Sequence, residues 1–134
     1  MKKKRIRSGM SIMLMLMLFA NYALAAMVTP YADTVFSSAR VSLSTQMDAS
    51  FTAQTKSKQA EIKVTSCILQ IKTGSVWADS MTLTAPSKVA TNANRYTASK
   101  NYSSSCSSGN TYRIKAVFDA DGHTKTTYSN SISY

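Results

Sequence analysis

Few side chains in this sequence are equipped for chemistry: one histidine, two cysteines, six acids and one tryptophan among 134 residues. His123 is preceded by Asp119-x-Asp121-Gly122. A histidine acts as a general base only with a nucleophile and an orienting group beside it. Here the neighbouring Asp and Gly also spell a turn, where these residues occur for backbone reasons. Asp119-x-Asp121-Gly122 resembles the start of a calcium loop, but Lys125 and Thr127 occupy the next ligand positions and no glutamate follows. The acids Asp33, Asp48, Glu61, Asp79, Asp119 and Asp121 are scattered and offer no pair for glycoside cleavage. G-x-S-x-G, H-E-x-x-H and a glycine-rich phosphate loop are all missing. A catalytic site, a metal and a cofactor are therefore not expected.

The remaining candidates are binders. Trp77, with Tyr96, Tyr102, Tyr112 or Tyr128, could form a sugar-stacking platform. Trp77 shares parity with Met81 and Leu83, however, so it is expected in the core, as are Tyr112 and Tyr128. Arg113 and Lys115 share the solvent side of one strand, and Lys125 is expected beside them. These three form the candidate basic surface patch, and Lys56 and Lys58 add a basic loop.

The N-terminus decides the compartment in which such a patch would act. Lys2, Lys3, Lys4, Arg5 and Arg7 precede an apolar run from Met10 to Ala20, and small residues follow. Charge, apolar helix and small residues is the order of a secretion signal. The run is shorter than the ~20 residues that span a bilayer, which counts against a retained anchor. Ala23-Leu24-Ala25 supplies a cleavage pattern, and Ala32 before Asp33 supplies a later one. The expected organisation is a signal peptide over 1–25, with the cut as late as 32, and one domain over 33–134. Of 16 Lys and Arg, five leave with the signal, so eleven face six acids and the net charge falls from +10 to +5. A secreted, mildly basic domain points to anionic cell-wall polymer or an extracellular protein as partner. Nucleic acid is not expected, nor is a membrane once the signal is cut. Outside the cell, Cys67 and Cys106 are expected to pair in a disulfide, the alternatives being two free thiols or a metal site. In the chain-entropy picture such a bridge is worth about 4 kcal/mol.

Period-two patterns dominate the rest, and no window gathers helix formers. Strands are expected around 41–45, 49–55, 61–72, 77–83, 96–102, 112–118 and 124–132. A phase change near Ser66 suggests a bulge, or a strand buried on both faces. Thr73-Gly74 reads as a turn, 86–94 as a loop and 103–109 as a polar connection tethered by the disulfide. For the last hairpin, a two-residue Asp121-Gly122 turn would set Phe118 opposite Lys125. A three-residue loop, Ala120-Asp121-Gly122, pairs Phe118 with Thr124 and Ile114 with Tyr128, and is preferred because it separates core from solvent. Seven short antiparallel strands read as an all-β, immunoglobulin-like β-sandwich preceded by the helical signal peptide.

Thr34-Val35-Phe36-Ser37-Ser38-Ala39, Ile62 through Cys67, Val89-Ala90-Thr91-Asn92 and Gly109 through His123 give the chain a likeness. It resembles short secreted proteins of unknown function from clostridium-like Gram-positive bacteria. The Gly109–His123 stretch is also similar to the closing hairpin of bacterial immunoglobulin-like modules. The resemblance implies export and fold, and brings no functional residue with it. The expected role is a secreted, non-catalytic module that associates with surface polymers or proteins. The alternative is a secreted effector, such as a bacteriocin-like protein or a protease inhibitor, and a hydrolase ranks last. N-terminal sequencing of the protein from culture medium should start at Ala26 or Asp33. A chain held in the membrane and starting at Met1 would overturn the signal reading.

Overall fold

The computed structural model describes residues 35–134, so the signal segment and both cleavage sites lie outside the described residues. The described part is all-β, with seven antiparallel strands: β1 (Phe36–Leu43), β2 (Asp48–Thr73), β3 (Val76–Thr82), β4 (Val89–Asn101), β5 (Thr111–Ala120), β6 (His123–Tyr128) and β7 (Ile132–Ser133). A single 3-10 turn, Ser103–Ser105, interrupts them.

β2 is 26 residues long and unites the two segments expected at 49–55 and 61–72. Its first part alternates strictly, with Ala49, Phe51, Ala53 and Thr55 buried between exposed neighbours. Alternation lapses over 56–60, and the ladder to β4 shifts register between Gln54 and Gln59. The backbone stays extended through this lapse because Thr55 and Asp121 hold it. Thr55 Oγ1 donates to the Ser57 carbonyl at 2.8 Å, and Asp121 accepts from the amides of Ala60 and Glu61 at 2.8 and 2.9 Å. A carboxylate taking two amide bonds is a strong tie, since hydrogen bonds to charged groups contribute about 1.5–3 kcal/mol each.

One edge of β2 carries β1 along 49–55 and β5 along 62–71. The other carries β4 along 48–63 and β3 along 68–73. β6 and β7 extend the sheet beyond β5. The sheet curls into a half-barrel around one apolar cluster. Across that cluster Tyr96 of β4 meets Phe118 of β5 edge to face, with ring centroids 6.1 Å apart. The expected bulge near Ser66 is present, as a register shift between Val64 and Ser66. At the far end, Asn130 closes the curl. Its side-chain amide accepts from Leu43 N at 2.9 Å and donates to Leu43 O at 2.8 Å.

Four expectations are corrected. The expected 86–94 loop is largely strand, because β4 begins at Val89 and pairs with Glu61, Ile62 and Lys63 of β2. The last hairpin turns on two residues: Ala120 pairs with His123 and Phe118 with Lys125. Asp121 and Gly122 both have positive φ, 50° and 87°, the signature of the type I′ turn whose twist matches that of the strands. Sequence parity argued against this register. It is tolerated because β6 is an outer strand and leaves Lys125 exposed. β3 also breaks parity: Leu69 pairs with Met81 but Gln70 with Asp79, so Ser80 is an extra residue. The bulge turns Trp77 to the face opposite Met81.

The fourth correction is the disulfide: Cys67 and Cys106 are both free thiols. Tyr102 neighbours both: its side chain acts on the Cys67 thiol, and its backbone carbonyl accepts from Cys106 Sγ at 3.5 Å. The polar connection assigned to the bridge is held by tyrosine hydroxyls. Tyr102 donates to Thr84 O at 2.8 Å, and Tyr112 accepts from Ser107 N at 3.0 Å. Burial raises the pKa of both thiols, with Tyr102 and Lys100 only partly offsetting it at Cys67. Little thiolate is therefore present at neutral pH. Iodoacetamide at pH 7 should alkylate the half-buried Cys106 slowly and leave Cys67 untouched until urea is added, as read by intact mass and peptide mapping. A mass two hydrogens lighter than the dithiol, with neither cysteine reactive in urea, would restore the bridge.

Candidate ligand-binding face

β5 alternates without a break: Tyr112, Ile114, Ala116, Phe118 and Ala120 are buried, and Arg113, Lys115, Val117 and Asp119 face outward, half-buried. The ladders then fix what stands beside each outward residue. Directly opposed residues in a sheet share a face. Arg113 pairs with Gln70 of β2, which pairs with Asp79 of β3. Lys115 pairs with Ile68 on one side and Tyr128 of β6 on the other. Lys72 pairs with Trp77. Around Arg113 the outer face of β3-β2-β5-β6 thus gathers one indole, one phenol, three cations, one amide and the Asp79 carboxylate, while Asp119 stands further along β5 opposite Lys63.

At its centre is the Arg113 guanidinium. It lies 4.4 Å from the Trp77 ring centroid and 4.5 Å from that of Tyr128. The rings come from strands on opposite flanks of β5, so the guanidinium stands between them. Each such contact is worth about 0.5–1 kcal/mol in exposed settings and ~2 kcal/mol when desolvated. Nε of Arg113 donates to Gln70 Oε1 at 2.7 Å, and Gln70 Nε2 donates to Asp79 Oδ1 at 2.7 Å. Gln70 is only 6% exposed, and with both bonds made its burial costs little. Asp79 therefore orients Arg113 through a neutral amide and forms no ion pair with it. Among the described residues the one ion pair is Lys63 with Glu61, so Lys72, Arg113 and Lys115 have no carboxylate partner. A planar cation set over two rings, with its Nε satisfied, has its two terminal nitrogens left to meet an anion.

Sequence reasoning placed Arg113 and Lys115 together, and the structure does so too. It puts Lys125 on the other face, opposite Phe118, because the hairpin turns on two residues rather than three. Trp77 and Tyr128, expected in the core, lie on the outer face, and Tyr128 is 48% exposed. Tyr112 is buried as expected. Gln70, Lys72 and Asp79 were missed as site residues. Their one trace in the sequence is Asp79, an acid between the apolar residues Trp77 and Met81. His123 is exposed beside the turn, while Asp119 accepts from Gly122 N at 3.2 Å and Asp121 holds β2. Lys56 and Lys58 lie exposed in the irregular stretch of β2. A shallow polar groove lined by Ser50, Pro86, Lys88, Thr97 and Lys100 lies along β4.

Arg113→Met keeps much of the length but loses both ring contacts and strands the Gln70 carbonyl. It should lower unfolding stability by about 2–3 kcal/mol in urea titration. Emission from Trp77, the sole tryptophan in the sequence, should change as well. Unaltered stability and emission would mean that the stack contributes nothing in solution.

No protein-family model matches the chain, and neither does any curated protein or solved structure.

Proposed function

We propose that the chain is a secreted, non-catalytic module of immunoglobulin-like β-sandwich type that associates with anionic polymer at a cell surface. The observation that carries this reading is the Trp77–Arg113–Tyr128 stack. It is a cation close to two aromatic rings, flanked by Lys72 and Lys115 and without a direct ion-pair partner. Aromatic rings beside unpaired cations suit a ligand that offers both a flat apolar surface and negative charge. Export is supported by the order of the N-terminal segment, where charge, apolar run and small residues succeed one another. The sandwich reading is supported by the way the curled sheet brings Tyr96 and Phe118 together across one core. The likeness to secreted proteins of clostridium-like bacteria agrees with both.

Binding of this kind is salt-dependent, because exposed charges are screened over about 8 Å at physiological ionic strength. Protein recovered from culture medium should be retained on acidic cell-wall fractions at low salt. It should elute as salt rises, and Arg113→Gln should weaken retention several-fold. Failure to bind any acidic fraction at low salt would overturn the proposal.

A further inference from the structure

We infer that the anionic ligand of this face is a uronic-acid-type polysaccharide, whose carboxylate is read by the free edge of Arg113 while a sugar ring stacks on Tyr128. The inference rests on the surface-binding reading and names the ligand class of the same site.

Three features together favour an acidic sugar. First, Arg113 is fixed on three sides, by Trp77, Tyr128 and Gln70. Its terminal nitrogens are thereby pointed rather than mobile, and a pre-oriented guanidinium edge matches the two oxygens of a carboxylate in a planar, two-bond contact. Less side-chain entropy is lost on binding, because the side chain is already ordered. Second, Asp79 is kept one residue away by Gln70. The usual partner of a buried-edge arginine is thus displaced by a neutral amide, and the charge stays available to a ligand.

The third feature concerns the rings. Each aromatic ring has two faces, and Arg113 takes one of each. Tyr128, on the outer strand β6, is 48% exposed, which leaves room for the apolar side of a pyranose. Lys115 pairs with Tyr128 in the ladder. It therefore carries a second positive charge alongside the ring, at a place suited to the next acidic unit of a chain. Poly(glycerol phosphate) would satisfy the lysines and the planar edge but would bring no sugar ring to Tyr128. A carboxylate peptide would satisfy the edge but bring no sugar ring.

The test is a titration of protein recovered from the medium of a secreting host, followed by Trp77 emission. The probes are an oligogalacturonate, the same oligomer with its carboxyls reduced to alcohols, poly(glycerol phosphate) and polyglutamate. The oligogalacturonate should bind and shift the emission, and the reduced oligomer should not. The phosphate polymer and polyglutamate should bind about tenfold more weakly, because each lacks one half of the recognition. Arg113→Lys, which keeps charge but not the planar edge, should lose about tenfold. Tyr128→Ala, at a position 48% exposed, should lose about fivefold with the oligogalacturonate and distinctly less with polyglutamate, which uses the Arg113 edge but not the ring face. Lys125→Ala, on the opposite face, should bind as the parent does. If all three polyanions bind alike and neither Arg113→Lys nor Tyr128→Ala matters, the uronate inference fails and polyanion association stands. If no polyanion binds at low salt, both fail.

Discussion

Four of the other six strands hydrogen-bond directly to β2, so the continuity of that one strand through residues 56–60 governs everything attached to it. Its two edges change partner along its length, β1 to β5 on one and β4 to β3 on the other. The curl of the sheet follows from this exchange. The stretch has little apolar content, and the ladder to β4 is irregular there. The Asp121 carboxylate supplies what the ladder lacks, reaching from the β5–β6 turn to two amides of β2. An acid that sequence reasoning weighed for calcium or catalysis is thereby occupied with backbone amides.

Sequence periodicity was most legible where a strand is both regular and half-buried. β5 is such a strand, and its inward and outward sets were assigned correctly. The bulge near Ser66 was also visible, because two apolar parities meet there. Failures clustered where one residue shifts a register. Ser80 flips Trp77 outward, and an apolar parity rule places that ring in the core because it cannot see the bulge. The Asp121-Gly122 hairpin failed for a related reason. The rule assumed that the face of Phe118 is apolar all the way to its edge, whereas Lys125 stands at the rim and is hydrated. Both errors moved aromatic or basic residues to the wrong face, so two of the three cations of the site were found and its two rings were lost.

The site combines interactions that are individually modest. Arg113 gains from two rings and one amide, and none of these partners carries charge. A direct Arg113–Asp79 pair would have neutralised the guanidinium. The intervening Gln70 transmits orientation while keeping the charges apart. Here the spacing between groups matters as much as the groups themselves.

Asn130 binds the last residue of β1 through one donor and one acceptor, in the way that a neighbouring strand's peptide unit would. The outer rim of β1 is consequently plugged at Leu43 by a side chain belonging to the same chain. An open rim invites a strand from another molecule to add on, and sheets that remain monomeric need some device to refuse it. A single amide, set just after β6, is such a device: it ends the sheet without adding another strand.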